Sequence, residues 1–538
     1  MKKQLLISLV TALAFASSAR AEVKPNALFS DNAVLQQNAS VPVWGTAKEG
    51  EKVTVTLDGQ AETTVAKGGK WMVRLKPHKA GGPFTLTIAG ENTVTVNNVL
   101  VGEVWVCSGQ SNMAFGFAGC ANAATETPLA NYPKLRRFYV NNGGALTPQT
   151  ELQKGEWVEC SPATVGGFSA VGYFFGRDIH KATGAPVGMI HSSVGGTPAQ
   201  AWTSLAGLEK DPELHGYVEA VRKMEADRDA AAAKYPQELA AFPAKLKEWE
   251  ETVEKPYQQA LKDWKSETEK SKAAGKPLPP MPKPATPKPW PPALPGLVNA
   301  RAGFPATLFN GKIAPLIPYA IKGVIWYQGE SNSGAGKEYR TLFLRMISDW
   351  REKWGEGDFP FLFVQIAPCN RMMPELREAQ FLTWKKTPNT AMAVTTDVGE
   401  ANDIHPKQKE PVGARLALAA RALAYGEKIE YSGPEYDSFK VDQNRVVLSF
   451  KHVGGGLVAK DGPLKGFTIA GPPPPPSRGA VHPSIFVPAK AEIKGDTVVV
   501  SSDQVPLPVA VRYGWTDVPD GNLWNKEGLP ASPFRTDP

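Results

Sequence analysis

The first segment whose residues could do chemistry is Val104-Trp-Val-Cys-Ser-Gly-Gln-Ser-Asn-Met113. An apolar strand runs directly into a turn of small residues, so Ser111 would lie at the carboxyl end of that strand. Gly109 permits a tight turn there, and the Ser111 N–H can serve as an oxyanion donor. The segment is not the G-x-S-x-G elbow, because Met113 stands at the second glycine position. Ser111 is therefore a candidate nucleophile, although the pattern alone favours a structural turn.

A serine nucleophile needs a base, and the chain has seven histidines. His405 has the most suitable setting, because it lies in Asp397-Val-Gly-Glu-Ala-Asn-Asp-Ile-His-Pro406, after the last predicted strand of a sheet and before a helix. Most other histidines fall in β segments, within a helix or in an exposed arm. His191, which ends a predicted strand, is the second candidate.

A carboxylate beside the base would hold the imidazole tautomer and stabilise the imidazolium. Asp403 lies two residues before His405 and is the first choice for this acid. Asp397 and Glu400 are nearby alternatives.

Two further segments end predicted strands with groups that could polarise a carbonyl. In Val324-Ile-Trp-Tyr-Gln-Gly-Glu-Ser-Asn332, Gln328 can donate its amide, and Glu330 needs a hydrogen-bonding or basic partner in an enclosed turn. In His191-Ser-Ser-Val-Gly-Gly-Thr-Pro198, the backbone N–H groups of Gly195 and Gly196 suit an oxyanion hole. Each segment alone is weak, but together they predict a hydrolase site with a nucleophile, a base and polarising donors.

The elements that must position these segments are short apolar strands alternating with helical stretches. The predicted strands are Val101–Cys107, Val187–His191, Gly323–Tyr327, Phe361–Ile366 and Met392–Thr396. The predicted helices lie near Ser169–Ala182, Glu338–Trp354, Leu376–Lys386 and Gln408–Tyr425. Continuous apolar strands between helices are typical of a parallel sheet covered on both faces. The active site of such a sheet lies beyond the carboxyl ends of its strands.

The rest of the chain divides around this sheet. Alternating strands before residue 100 and after residue 429 predict β-sandwich segments at both ends, and the second could be independent or pack with the first. Apolar residues at helical spacing after Leu205, followed by a Pro-rich stretch, predict a helical hairpin or arm with an extended strap. The predicted division is 1–21 signal peptide, 22–100 β-sandwich segment, 101–204 first part of the parallel-sheet hydrolase domain, 205–298 helical and Pro-rich insertion, 299–428 second part of that domain and 429–538 β-rich segment.

The amino terminus has the pattern of a cleavable signal peptide. Lys2 and Lys3 precede a short apolar run, and Ala19-Arg20-Ala21 is a small-x-small cleavage site. We therefore expect a periplasmic or secreted protein without membrane association after cleavage. The formal charge of +7 is scattered, so no nucleic-acid partner is indicated. Cys120 and Cys160 could form a disulfide, with buried free thiols as the equal alternative.

The motifs together resemble the sialate O-acetylesterase family of SGNH-type carbohydrate esterases. The resemblance spans nearly the whole mature chain. The matching stretches are Cys107-Ser-Gly-Gln-Ser-Asn-Met113, Val194-Gly-Gly-Thr197, Trp326-Tyr-Gln-Gly-Glu-Ser-Asn332, Asp403-Ile-His-Pro406 and Asn525-Lys-Glu-Gly-Leu-Pro-Ala-Ser-Pro-Phe-Arg535. The resemblance implies a flavodoxin-like three-layer parallel sheet and an acyl-enzyme mechanism without metal or other cofactor.

Carried over by position, the resemblance implies Ser111 as nucleophile and His405 as base. Gly195 or Gly196 and Gln328 would join the Ser111 N–H in the oxyanion hole. The wider SGNH pattern places the acid three residues before the histidine, where this chain has Asn402. The acid could thus be Asp403 or Glu330, or the site could work mainly as a dyad.

The resulting hypothesis is a carbohydrate O-acetylesterase acting on an acetylated oligosaccharide or polysaccharide. Sialic acids and hemicelluloses such as xylan or xyloglucan are the alternative substrates, and the oligomeric state is left open. A general esterase for longer acyl chains and a non-catalytic glycan-binding protein are the competing hypotheses.

Overall fold

The computed structural model describes residues 22–153, 155–292, 302–474 and 483–537. The predicted signal peptide lies outside these residues. Within them, no helix is both long enough and apolar enough to cross a membrane. The molecule is a mixed α/β protein, as the sequence predicts at that level.

The amino-terminal part is built from short, mostly antiparallel strands around an apolar core, and β2 (Val34–Gln36) pairs in parallel with the strand that follows this part. Its strands are β1 (Lys24–Pro25), β2 (Val34–Gln36), β3 (Val41–Thr46), β4 (Lys52–Leu57), β5 (Gln60–Val65), β6 (Lys70–Leu75) and β7 (Gly81–Ala89). The next strand, β8 (Thr93–Gly109), pairs with β7 and then continues into the central sheet. One strand therefore runs through residue 100, and a single apolar core joins this part to the central sheet.

The central sheet continues with β9 (Tyr132–Tyr139), β10 (Trp157–Cys160), β11 (Val187–Ser193), β12 (Gly323–Tyr327), β13 (Phe361–Val364) and β14 (Thr390–Ala393). The strand order is β10-β9-β11-β8-β12-β13-β14. Every neighbouring pair from β9 to β14 is parallel, and β10 is antiparallel to β9. The carboxyl ends of β8, β11 and β12 consequently meet at one edge, where the candidate segments begin.

The helices are α1 (Ser111–Ala114), α2 (Ala123–Glu126), α3 (Ala170–Thr183), α4 (Leu205–Leu208), α5 (His215–Trp249), α6 (Lys255–Ala273), α7 (Gly336–Trp354), α8 (Pro374–Lys386) and α9 (Glu410–Leu423). Alternate residues of β8 point to opposite faces. Trp105 and Cys107 share a core with α3 and α9. Val104 and Val106 share the other core with α7 and α8. The strand and helix predictions for this region are confirmed to within a few residues, except that the first strand begins at Thr93 and not at the predicted Val101.

The strand β9 is one that the sequence analysis did not predict. Its sequence, Tyr132-Pro-Lys-Leu-Arg-Arg-Phe-Tyr139, lacks the continuous apolar run of its neighbours. Arg136 is nonetheless buried, and its guanidinium donates to the Asn32 and Asn98 carbonyls and pairs with Glu159. These partners come from distant parts of the chain, so local pattern gave no sign of them.

The insertion is an arm made of one continuous helix, and the predicted alternative of a two-helix hairpin is wrong. α5 passes through a π-helical turn, Glu250–Glu254, into α6 without leaving helical backbone angles. At a rise of about 1.5 Å per residue, the helix is about 90 Å long. The Pro-rich strap returns along it, because Trp264 and Trp249 donate their indole N–H groups to the Pro279 and Thr286 carbonyls.

The carboxyl-terminal part has its own apolar core, separate from the two cores of the central sheet. Its strands are β15 (Glu435–Asp442), β16 (Arg445–Lys451), β17 (Leu457–Ala459), β18 (Phe467–Ala470), β19 (Phe486–Pro488), β20 (Lys490–Lys494), β21 (Thr497–Ser501), β22 (Ala510–Tyr513), β23 (Leu523–Asn525) and β24 (Phe534–Arg535). This part packs on α8, where Glu378 pairs with Arg535. The segment boundaries given above stay a prediction.

All four cysteines are buried free thiols. The disulfide alternative for Cys120 and Cys160 is therefore wrong.

Candidate active site

The site lies at the edge where β8, β11 and β12 end. Gly109, the last residue of β8, has φ +135°, and a Cβ there would lie 2.1 Å from the Tyr327 carbonyl oxygen of β12. Only glycine fits this turn, which places Ser111 at the start of α1. Two segments of distant sequence thereby approach each other directly below the serine.

Ser111 and His405 form a hydrogen-bonded pair. His405 Nε2 lies 2.8 Å from Ser111 Oγ, although the two residues are 294 positions apart in the chain. Both line an open cleft of about 440 Å³, together with Ala114, Phe115, Gly195, Asp403 and Lys407. This distance suits proton transfer from a serine hydroxyl to a neutral imidazole. The sequence-predicted nucleophile and base are thus placed together.

Asp403 is the carboxylate beside the base. Its Oδ1 accepts the His405 backbone N–H at 2.8 Å and lies 3.9 Å from His405 Nδ1. The second distance is longer than a hydrogen bond. Asp403 therefore orients the backbone of the base in this structure, and its carboxylate is within a small side-chain movement of the imidazole.

The other acids considered from the sequence have different partners. Glu330 is buried, and its Oε1 accepts from the Asn112 amide at 2.6 Å. No hydrogen bond joins Glu330 to His405, so Glu330 does not occupy the position of the acid in a catalytic triad. Asp397 is held by both Nη atoms of Arg415 at 2.7 and 2.8 Å.

Gln328 has a structural position that differs from the prediction. Its side chain is fully buried, and its Nε2 donates to the Thr197 carbonyl at 3.2 Å and to Asn332 Oδ1 at 2.8 Å. Its Oε1 accepts from the Tyr339 hydroxyl. Both amide hydrogens are engaged, so Gln328 supports the turn at Thr197 and is not an oxyanion donor here.

Gly195 and Gly196 have different surroundings, although the sequence analysis proposed the same role for both. Gly195 lines the cleft, and a Cβ there would lie 3.4 Å from Ser111 Cβ. Its N–H has no acceptor within the described ranges. Gly196 has φ +68°, a Cβ there would meet no atom within 4 Å, and the residue does not line the cleft. The Gly195 N–H and the Ser111 N–H, at the unpaired first turn of α1, are therefore the oxyanion donors placed at the cleft.

Exchanging each glycine for alanine separates these roles. We expect Gly195→Ala to lower kcat/KM by about 10-fold, because the added methyl group contacts Ser111 in the cleft, where the ester must approach the nucleophile. Gly196→Ala should keep kcat and lose about 1 kcal/mol of stability, because an L-residue is strained at its positive φ. Ester hydrolysis rates and urea unfolding measure the two effects; equal rates for both variants would contradict the assignment.

His191, the second candidate base, lies inside the protein. It is 4% exposed, and its Nε2 contacts Ser193 Oγ at 2.7 Å. Burial, with the positive charges of Arg137 and Lys312, lowers the pKa of His191 to about 3. His191 is thus a neutral structural residue beneath the strand end and does not reach the cleft.

This burial predicts an acid-dependent loss of stability. The folded pKa of His191 lies below the unfolded value of about 6.5, so its contribution is complete above pH 6.5 and falls as the pH drops towards 3. Between pH 7.5 and 5.0 the loss should be about 2 kcal/mol. Urea unfolding at both pH values measures it, and His191→Gln should remove that part of the difference. An unchanged difference in the variant would contradict the prediction.

The sequence analysis missed two residues that hold the site, Asn112 and Lys409. Asn112 directly follows the nucleophile in a segment that was already singled out, so its position was the available signal. Lys409 lies in Pro406-Lys-Gln-Lys-Glu-Pro411, where nothing distinguishes it from its exposed neighbours.

In the described residues, no group of His, Cys, Asp or Glu side chains could hold a metal ion.

Comparison with known proteins identifies the family of this chain. A profile of the carbohydrate esterase family described as sialic acid-specific acetylesterase matches residues 101–242 and 310–422. The sialate O-acetylesterase of Rattus norvegicus is 32% identical over 449 residues, which is 74% of this chain and 73% of the relative. That of Homo sapiens is 28% identical over 559 residues, which is 94% and 90% of the two chains.

A solved structure matches almost the whole molecule. A carbohydrate acetylesterase from Xanthomonas citri superposes with a TM-score of 0.75 at 35% sequence identity, over 96% of this chain and 99% of the other. The match includes the parts on both sides of the central sheet. The chain therefore belongs to the sialic acid-specific acetylesterase family of carbohydrate esterases, and it is an ester hydrolase.

Proposed function

We propose that this carbohydrate O-acetylesterase works through a Ser111–His405 acyl-enzyme mechanism. The observation that carries the proposal is the 2.8 Å contact between Ser111 Oγ and His405 Nε2 at the cleft. The free Gly195 N–H beside them supplies a donor where a carbonyl oxygen would gain negative charge.

In the first half of the reaction, His405 Nε2 takes the hydroxyl proton as Ser111 Oγ bonds to the acetyl carbon. The carbonyl oxygen becomes an oxyanion and accepts hydrogen bonds from the Ser111 and Gly195 N–H groups. The bond to the sugar oxygen then breaks, and His405 returns its proton to that oxygen. Water repeats the sequence on the acetyl-serine, so acetate leaves and Ser111 is restored.

The finer fold assignment also belongs to the proposal. We assign the central region to the SGNH-type, flavodoxin-like three-layer arrangement. Support comes from the parallel strand order β9-β11-β8-β12-β13-β14 and from helices that pack in separate cores on its two faces.

The substrate is proposed to be an acetylated oligosaccharide or polysaccharide, either a sialoside or a hemicellulose such as xylan or xyloglucan. The curated relatives are named for sialate esters and the solved neighbour for carbohydrate acetyl esters. Residues 1–21 are proposed to be a cleaved signal peptide that delivers the enzyme to the periplasm or beyond it.

The test is acetate release from acetylated sialosides, xylan and xyloglucan, with Ser111→Ala as the control. Release from one class and not the others assigns the substrate. Parallel assays with 4-nitrophenyl acetate and octanoate examine acyl-chain length. Faster hydrolysis of octanoate, with no acetate released from any glycan, would overturn the proposal.

Asp403→Asn tests the acid. We expect kcat to fall by about 10²-fold, less than for loss of the nucleophile or the base, because the carboxylate lies 3.9 Å from His405 Nδ1 before substrate binds. Asp397→Asn is the matched control, because Asp397 is a nearby acid that pairs with Arg415 and not with the base. A full rate in Asp403→Asn would indicate that the site works as a Ser-His dyad.

A further inference from the structure

Asn112 is buried directly behind the nucleophile and uses its whole side-chain amide. Its Nδ2 donates to Glu330 Oε1 at 2.6 Å and to the Ile404 carbonyl at 2.9 Å. Its Oδ1 accepts from Lys409 Nζ at 2.5 Å. Ile404 directly precedes His405, so one side chain connects the nucleophile segment to the base segment.

The chemistry of the partners fixes which way the amide points. A flipped Asn112 would turn its NH₂ group to the Lys409 ammonium and its oxygen to the Glu330 carboxylate and the Ile404 carbonyl. All three contacts would then be repulsive. A cation at one end and an anion at the other thus leave the amide a single orientation.

The two charged groups are themselves enclosed. Lys409 is 0% exposed, and its Nζ lies 4.9 Å from the centre of the Phe115 ring and 5.3 Å from that of Tyr327. Burial lowers the pKa of Lys409 to about 8 and raises that of Glu330 above its usual range. Glu330 Oε2 has no partner in the part of the chain that the structure describes. Such burial is costly, and nothing in the acyl-transfer steps above requires these charges to react.

We propose that Asn112 is a positioning residue that clamps the Ser111 and His405 segments at their reacting distance, with Glu330 and Lys409 as the charged pair that orients it. The proposal rests on the Ser111–His405 mechanism proposed above. Ser111 and His405 come from opposite ends of the esterase region, and the described contacts between their segments include the Oγ–Nε2 bond and this clamp. A displacement of about 1 Å between reacting groups can cost about 10² in rate.

Asn112→Ala removes the clamp without touching a reacting atom. We expect kcat for 4-nitrophenyl acetate to fall by about 10- to 100-fold, while KM changes less than about 2-fold because Asn112 does not line the cleft. The rate of labelling by a fluorophosphonate, in which Ser111 Oγ displaces fluoride from phosphorus, should fall in parallel. Asn142→Ala is the matched control, since Asn142 is another buried asparagine that bonds only backbone, at Glu151 and Gln153.

A second set of variants keeps the test decisive if Asn112→Ala folds poorly. Lys409→Met leaves Glu330 as an uncompensated buried charge beside Asn112 and should lower kcat by about 10-fold or more. Glu330→Gln keeps an oxygen that accepts from Asn112 and removes that charge. Adding Glu330→Gln to Lys409→Met should therefore restore part of kcat. If the two substitutions only disturbed packing, their losses of kcat would instead be additive in the double variant.

The outcomes separate this inference from the mechanism on which it rests. Full kcat and labelling in Asn112→Ala, or additive losses in the Lys409 and Glu330 variants, would overturn the clamp while Ser111→Ala stays inactive. A rise in KM at constant kcat would also overturn it, because that result indicates substrate contact. If Ser111→Ala itself hydrolyses ester and the fluorophosphonate labels another residue, the mechanism fails instead.

Discussion

Replacing Ser111 with alanine should lower kcat for acetate release by at least about 10³-fold while the protein keeps its fold and its affinity for glycan. The hydroxyl oxygen is the atom that bonds the acetyl carbon, and its contact with His405 Nε2 is the path for its proton. Alanine leaves the backbone N–H donors in place, so the residual rate measures what the oxyanion hole contributes alone. Acetate release from the best glycan substrate is the measurement.

Ser108→Ala is the matched control for this experiment. Ser108 lies in β8, which leads into the turn before Ser111; it is 0% exposed, and its Oγ has no hydrogen-bond partner among the described residues. Its loss should leave kcat within about 2-fold, because it neither reacts nor positions a reacting group. His405→Ala should resemble Ser111→Ala, and the double variant should be no slower than either, because the two residues act as one unit. Substantial activity in Ser111→Ala would disprove the nucleophile.

The sequence located the reacting pair because strand ends in a parallel sheet must share an edge. Ser111 and His405 each follow a strand, and the geometry brings them into contact. The role of Gln328 could not be predicted from its position at a strand end, because a side chain there can point into the protein as well as into the cleft. Its amide hydrogens go to the Thr197 carbonyl and to Asn332 Oδ1, and only the packed structure reveals that both are already used.

Buried charged side chains were also missed, because their burial depends on contacts with distant parts of the chain. Lys409 and Arg136 look like ordinary surface residues in sequence, since composition says nothing about distant carbonyls, rings or carboxylates that surround them. The arm was recognised as helical from its apolar spacing, yet spacing alone could not tell one long helix from two. Local pattern thus predicts elements and their ends, whereas long-range pairing decides which polar side chains turn inward.

The largest stability effect is expected at Arg377, which joins the esterase region to the carboxyl-terminal part. Its side chain is fully buried on α8. It donates to the carbonyls of Ile366 and Ala367 at 3.1 and 3.2 Å, and to those of Thr516 and Asp517 at 3.0 and 2.7 Å. Burial lowers the pKa of Arg377 to about 10, which still leaves the guanidinium charged at neutral pH.

Arg377→Met should lower the free energy of unfolding by about 3–5 kcal/mol, because two buried and two partly buried carbonyl oxygens lose a charged donor that methionine cannot replace. Urea unfolding followed by tryptophan fluorescence measures the loss, and limited proteolysis should reveal earlier release of the carboxyl-terminal part. Arg445→Met is the matched control, since Arg445 pairs with Asp442 on an exposed hairpin and should change stability by no more than about 1 kcal/mol. Equal stability of the two variants would mean that apolar packing on α8, and not this guanidinium, holds the two parts together.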